Sequence, residues 1–352
     1  MRVGGPGEDF VFAQDVDTII ETVRAADDAG TPLLVVGGGS NLVVADDGFA
    51  GTVLQVGTRG ITVETDDLCG GVIVHVQAGE PWDDFVAQAC EQEWSGVEAL
   101  SGIPGSTGAT PVQNVGAYGQ EVSQTIWQVK VYDRVKKQIK TLFNADCQFA
   151  YRHSLLKATI GGEFGPSPRY IVLSVAFQLR PTSMSQPVAY AALAHGLGVE
   201  LGERVPLQAA REAVLAQRAQ RGMVLDPDDH DTWSCGSFFT NPIISSEQMA
   251  EVRSKATALL GDDGPKPPEF PQADGSIKTS AAWLIDKAGY GKGYGAPAAA
   301  TLSTKHPLAI TNRGEAGSED VVALAREIRA GVFDAFGVEL VNEPVFVGLE
   351  LA

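Results

Sequence analysis

Three kinds of residue in this sequence could do chemistry: glycines clustered with hydroxyls, cations in apolar surroundings, and a serine and a glutamate beside aromatic runs. LLVVGGGSN (33–41) sets Gly37, Gly38, Gly39, Ser40 and Asn41 at the end of an apolar run, where consecutive backbone N–H groups can cradle a phosphate. A plain tight turn explains that stretch equally well. It is no Rossmann fingerprint, because Leu42 stands where the third glycine belongs, and no Lys-Ser/Thr follows to make a Walker loop. A second loop, SGIPGSTGA (101–109), carries Ser106 and Thr107. Two such loops can grip a diphosphate from both sides, and together they suggest a dinucleotide.

Arg152 lies in FAYRHSLLK beside His153 and Lys157. An arginine in so apolar a stretch needs a carboxylate or a phosphate, so a structural salt bridge and an anion-binding role compete on equal terms. Ser154 and Lys157 form a Ser-x-x-Lys pattern of acyl-transfer enzymes, but the Ser-Asp-Asn and Lys-Thr-Gly elements that should accompany it are missing. Ser237, in CGSFF, reads as a turn residue or, in an aromatic pocket, as a proton donor to a strong carbanion. Glu343, in VNEPVF, is an edge-strand charge or, if buried, a group that needs a partner. The five histidines show no metal spacing, and the acid run LDPDDHD (225–231) reads as a solvated loop.

The elements that must hold these residues follow from periodicity. Ile19, Ile20 and Val23 share a helical face that Gly30 is placed to end, and Leu33–Val36 is a short strand. GTVLQV (51–56) and GVIVHVQAG (71–79) read as strands, and Pro81 opens a helix with Trp82, Phe85, Val86 and Ala89 on one side. Residues 101–119, rich in glycine and proline, can be neither a helix nor a central strand, and long ordered loops of that kind are usually functional. Strand patterns return over 126–149 and 170–179, and RPTSMSQP (180–187) reads as a linker. A polar helix over 206–221, a helix opened by Ser280, and a long helix from Ser318 to Gly337 complete the expected elements.

With 352 residues, 44% hydrophobic, the chain can bury a large core and form about two domains. Its formal charge of −18 argues against a sequence-independent nucleic-acid binder and against an anionic membrane surface. The widely spaced Cys69, Cys90, Cys147 and Cys235 fit a reducing cytoplasm.

GGGSN at 37–41, GIPGSTGATPVQNVGAYG at 102–119, YRHSLLK at 151–157, GSFFTNP at 236–242, QADGSIKTSAAWLID at 272–286 and NEPVF at 342–346 occur in this order. Together they closely resemble the UDP-N-acetylenolpyruvoylglucosamine reductases, flavoenzymes of bacterial peptidoglycan synthesis. The resemblance runs through nearly the whole chain. It implies an α+β protein: a two-subdomain FAD-binding fold of the vanillyl-alcohol-oxidase type plus a third α/β domain for substrate. The implied division is 1–60, with 338–352 returning to it, then 61–225, then the substrate domain over 226–337. The first residues begin closer to RVGGP than is usual in that family.

In that resemblance the glycine loops become FAD contacts: Gly37, Gly38, Gly39, Ser40, Asn41, Gly102, Ile103, Gly105, Ser106, Thr107, Gly108, Asn114, Gly116, Ala117 and Tyr118. Covalent relatives in the superfamily often carry a flavin-linking histidine in the first loop, and Ser40 and Asn41 stand here instead, so noncovalent FAD is implied. NADPH reduces it, and a UDP-sugar carrying an enolpyruvyl ether is the substrate. Arg152 and Glu343 match positions that stabilise the charge formed on that substrate, and Ser237 matches the proton donor. Tyr190 matches a tyrosine that closes over the substrate in the longer type I enzymes. Asn241 and Lys292 are further substrate contacts, and the stretch from Arg218 to Asp226, with Arg221 as candidate, should add a basic one. The implied protein is a cytoplasmic monomer without nucleic-acid or membrane partners. An FAD-dependent oxidase acting on another small molecule is the alternative on the same scaffold, but it leaves Ser237, Arg152 and Glu343 without a joint role.

Overall fold

A computed structural model of the chain describes residues 1–67 and 70–351, with the side chains of residues 66 and 67 left aside; Cys69 lies outside the described residues. The chain divides into two compact units. One comprises residues 7–39 and 49–224, the other residues 1–6, 40–48 and 225–351.

The first unit opens with a parallel sheet in which Phe49–Val56 lies between Gly7–Ala13 and Leu33–Val36. Helix α1 (Val16–Ala29) connects the outer two strands, capped by Asp15, whose carboxylate accepts from the Thr18 N–H (2.7 Å), and ended by Gly30 in the left-handed region. A larger antiparallel sheet follows in the order Gln138–Phe143, Ile126–Asp133, Tyr170–Pro181, Gly71–Gln77, Ile61–Asp67. Along Gly71–Gln77 the side chains alternate, with Val72, Val74 and Val76 fully buried. Helix α2 (Trp82–Glu91) lays Trp82, Phe85, Val86 and Ala89 into this core, where Phe85 stacks on Phe177 with centroids 5.0 Å apart. Each such ring contributes roughly 1.5–3 kcal/mol by leaving water.

Two short helices close the unit, α3 (Ala191–Leu197) and α4 (Leu207–Gln220). The stretch 180–187 is not the linker its composition suggests. Pro181 pairs with Trp94, the Ser185 N–H donates to Val205 O (2.7 Å), and the Gln186 N–H reaches a buried carboxylate. Serine and proline here satisfy turns of a tethered segment rather than a free one.

In the second unit Leu42–Val44 pairs in parallel with Val345–Val347, so the two chain ends of the motif region meet in one ladder. Helices α5 (Ser246–Leu260), α6 (Ala281–Lys287) and α7 (Ser318–Phe336) bury a core of Phe238, Leu284, Ile310, Val321, Ile328 and Phe336. Helix α5 begins with a reciprocal capping box between Ser245 and Gln248. The acid run is no solvated loop at its end. Asp231 is 4% exposed, and its carboxylate accepts from the Thr304 N–H (2.9 Å), the Thr304 hydroxyl (2.5 Å) and Arg313 (2.9 Å). Burial pushes that carboxyl up, but Thr304 and Arg313 outweigh it and hold it below the usual carboxylate range.

Candidate active site

The two glycine loops meet within the first unit. A Cβ on Gly38 would lie 2.8 Å from the Gly105 Cα, and one on Gly37 would lie 2.2 Å from the Ser106 hydroxyl. Only glycine allows the two backbones so close. The second loop is anchored from below: the Trp82 N–H donates to Gly105 O (3.0 Å), the Thr107 N–H to Glu80 O (2.8 Å), and the Gly108 N–H to Ala78 O (2.8 Å). Gly108 sits so tightly on Ala78 that a Cβ would come within 2.5 Å of the alanine Cβ. The Gly102 N–H donates to Asp83 (2.6 Å), a carboxylate held in turn by both terminal nitrogens of Arg211. Ile103 and Ala117 pack against the core of the unit.

Thr107 is fully buried, and its hydroxyl has no hydrogen-bond partner among the described residues. A buried orphan hydroxyl beside a backbone cradle calls for an acceptor supplied from outside the chain. These residues fit the phosphate-bearing part of FAD. Bound there, FAD would be held by Gly37 to Gly39 and by Gly105 to Thr107.

The stretch 114–121 turns sharply. Asn114 has positive φ and spends its side chain within the fold, donating to Glu121 (2.8 Å) and to Ala150 O (3.0 Å). Gly116–Ala117 and Gln120–Glu121 pair as a hairpin, whose central Tyr118 and Gly119 both have positive φ, as a type I′ turn requires. Arg152, itself at φ 52°, lays its guanidinium on this loop, donating to Gly116 O (3.0 Å) and Asn114 O (3.5 Å), while the Lys157 ammonium donates to Arg152 O (3.2 Å). Ser154 is buried and donates to Val112 O, so the Ser-x-x-Lys pattern serves the fold.

Tyr118 and Tyr190 meet edge to face with centroids 5.5 Å apart. Tyr190 is 41% exposed, whereas burial pushes the Tyr118 phenol up against the pull of Arg218 and Arg221. Arg218 lies beside Gly102, and its Nη2 donates to Met223 O (2.9 Å). Its buried Nε has no hydrogen-bond partner among the described residues, and burial lowers the guanidinium from its ordinary value. Arg221, the candidate from sequence, caps the end of the same polar helix whose last turn holds Arg218.

The second unit assembles its own set. Residues 236–240 run beside 341–343: the Glu343 N–H donates to Phe238 O (2.8 Å) and the Thr240 N–H to Val341 O (3.0 Å). This brings the Ser237 and Glu343 segments together. Phe238 and Phe239 are buried beneath them, and Ser237 and Glu343 themselves are half-buried. Gly236, at φ 76°, makes the bend that precedes Ser237. Asn41 Nδ2 donates to Glu343 O (3.3 Å), and Ser40 and Asn41 follow Gly39 directly at the start of the second unit. Asn241 accepts from the Ala281 N–H (3.0 Å) at the start of α6, and Lys292 is exposed in the turn after that helix. Arg152, Tyr190 and the glycine cradle lie in the first unit; Ser237, Asn241, Lys292 and Glu343 lie in the second.

Residues 226–347 match a family model described as the UDP-N-acetylenolpyruvoylglucosamine reductase C-terminal domain, and residues 8–140 one described as an FAD binding domain. A UDP-N-acetylenolpyruvoylglucosamine reductase from Streptomyces coelicolor is 56% identical over 99% of this chain and 88% of its own length. One from Mycobacterium tuberculosis is 46% identical over 100% of this chain and 93% of its own. The crystal structure of UDP-N-acetylenolpyruvylglucosamine reductase from Thermus caldophilus shares the fold, with a TM-score of 0.60 at 22% identity over 96% of this chain and 91% of that one. The motifs, the two-loop cradle and an identity that runs from end to end agree: the chain belongs to the UDP-N-acetylenolpyruvoylglucosamine reductase family.

Proposed function

We propose that the chain reduces UDP-N-acetylenolpyruvoylglucosamine to UDP-N-acetylmuramate with NADPH, through noncovalent FAD, in peptidoglycan synthesis. FAD, held by Gly37 to Gly39 and Gly105 to Thr107, would supply the redox chemistry that passes hydride from NADPH to C3 of the enolpyruvyl group. The chain's own residues handle the charge and the proton that this leaves. The electron pair left at C2 spreads into the substrate carboxylate, where a guanidinium is worth most in a site that excludes water, and Arg152 is assigned to it. Glu343 is assigned to the same charge as a hydrogen-bond donor when protonated. Ser237 gives its hydroxyl proton to C2, so that hydride and proton together saturate the double bond, and the alkoxide left on the serine takes a proton back from water.

Tyr190, Asn241 and Lys292 are assigned to the sugar nucleotide, and Arg218, with its spare buried N–H, to the diphosphate. Flavin binding over 1–60 (with 338–352) and 61–225, with substrate binding over 226–337, belongs to the same reading. So do a cytoplasmic setting and a monomeric state; among the described residues no helix is long and apolar enough to cross a membrane.

The observation that carries this reading is the packing of Gly37 and Gly38 onto Gly105 and Ser106, a cradle with no room for a side chain. It is tested on the purified protein. Protein that releases FAD on denaturation, and oxidises NADPH beyond one equivalent per flavin only when the enolpyruvyl sugar nucleotide is added, supports it. Colourless protein, or flavin reoxidised by oxygen as fast as by the sugar nucleotide, overturns it; the second result favours the oxidase alternative.

A further inference from the structure

Glu98 is 2% exposed, and no cation pairs with it among the described residues. It immediately precedes the second glycine loop, in an otherwise apolar run, where a lone charge is rarely buried without purpose. Three N–H donors converge on its two oxygens. The Gly96 N–H donates to Oε2 (2.7 Å), while Gln120 Nε2 (3.0 Å) and the Gln186 N–H (2.5 Å) both donate to Oε1. Gln120 is in turn fixed from its other end, its carbonyl oxygen accepting from the Ala99 N–H (2.9 Å). The Gln186 side chain donates to Ser95 (3.0 Å).

Two of these donors lie next to the tyrosine pair. Gln120 directly follows the Tyr118–Gly119 turn, and Gln186 begins the segment that ends at Tyr190. At the far end the two pieces touch again, since a Cβ on Gly119 would lie 2.8 Å from the Ala189 Cβ and Tyr118 meets Tyr190 edge to face. One carboxylate oxygen thus binds the base of the hairpin to the base of the tyrosine segment.

We propose that Glu98 is a positioning residue that fixes Tyr190 against Tyr118 and so sets the affinity for the sugar nucleotide. The inference rests on the assignment of Tyr190 to that ligand. Glutamine can keep its carbonyl oxygen where Oε1 lies and so leave only the Gly96 N–H without an acceptor. Leucine keeps the bulk, removes both oxygens and leaves all three donors buried and unpaired. The glycine loop itself is spared, because Ser101 is held by the Glu98 backbone carbonyl and not by its side chain.

The test compares Glu98→Leu, Tyr190→Ala and the double variant as FAD-loaded enzymes. Glu98→Leu should raise KM for the sugar nucleotide by about tenfold, the cost of unpaired buried donors on the tether. FAD content and the rate of flavin reduction at saturating NADPH should stay within about twofold, and the double variant should be no worse than Tyr190→Ala alone, because residues acting through one another are not additive. An unchanged KM in Glu98→Leu, or effects that multiply in full, overturns the positioning role while leaving Tyr190 in place. A rise in Glu98→Leu with no effect of Tyr190→Ala overturns both the role stated here and the tyrosine assignment. Should Glu98→Leu fail to accumulate, Gln120→Ala removes the hairpin-side donor together with the acceptor of the Ala99 N–H. It must raise the same KM by about threefold, a smaller share of the same cost, and an unchanged value overturns the proposal.

Discussion

The glycine cradle and the Ser237 segment meet their tasks by opposite means. In the cradle the working parts are backbone, and the sequence contributes by leaving side chains out: Gly38 and Gly105 approach to where a single methyl would not fit. In the Ser237 segment the backbone only aligns two stretches, through the hydrogen bonds of Phe238 with Glu343 and of Thr240 with Val341, and the proposed chemistry falls to the side chains of Ser237 and Glu343. A cradle made of backbone fails when atoms are added; a proton donor fails when one atom is removed. Binding and turnover are therefore separable by substitution, one in each unit.

Ser237→Ala is the larger of the two effects. Loss of a positioned proton donor costs about 10²–10⁴-fold, and that loss should fall on reoxidation of reduced flavin by the enolpyruvyl substrate alone. Flavin reduction by NADPH needs no proton at C2 and should stay nearly intact. Stopped-flow absorbance, following the two half-reactions separately, checks this. Equal slowing in both would remove Ser237 from the donor role and blur the division between the regions.

Gly38→Ala tests the other side. The added methyl meets the Gly105 backbone, which cannot rotate away, so the loops must separate; overpacking of this kind costs about 1–3 kcal/mol. FAD should be held roughly 10- to 100-fold more weakly, measured by titrating flavin into the deflavinated protein. Enzyme saturated with FAD should then turn over at close to the normal rate. Gly37→Ala should cost less, because its obstacle is the Ser106 hydroxyl, the rotatable end of a side chain. If Gly37→Ala proves as harmful as Gly38→Ala, the close approach of backbones is not what the cradle depends on.

The same contrast governs how much could be read from sequence. Helix α1 and its Gly30 cap, the strand Leu33–Val36, Pro81 before α2, and α7 with its Gly337 cap all follow from local signals, and the structure has each of them. Helix α3 buries only Leu193 and Ala194 and shows no period, whereas α5 carries a capping-box spacing, Ser245 and Gln248, ahead of Met249, Val252 and Ala256; the stretch 180–187 resembles a linker because its tethers are long-range. Glu98, Asp231 and Arg218 have roles set by partners far along the chain: Gln186, Arg313 and Gly102. No local spacing encodes such pairings. The glycine loops and the Ser237 stretch stand out in sequence because their residue types lie adjacent along the chain.

The cysteines bring the comparison to its smallest effect. Cys235, two residues from Ser237, is buried, and its thiol donates to Leu42 O (3.3 Å). Burial pushes this thiol up to about 11, and burial in the first unit pushes Cys90 and Cys147 up to about 12. A thiol raised in the folded state contributes stability that is complete below the ordinary value of about 8.5 and fades as pH climbs through the folded one. Folding stability should therefore slope downward from about pH 8.5 in both units. In a Cys69→Ser background, iodoacetamide at pH 8 should leave the folded protein unlabelled and its activity unchanged, while the urea-unfolded chain labels fully. Fast labelling of Cys235 at pH 8, with loss of activity, would mean that the Ser237 segment is open to solvent, and its aromatic underlayer would then not be what shields the proton donor.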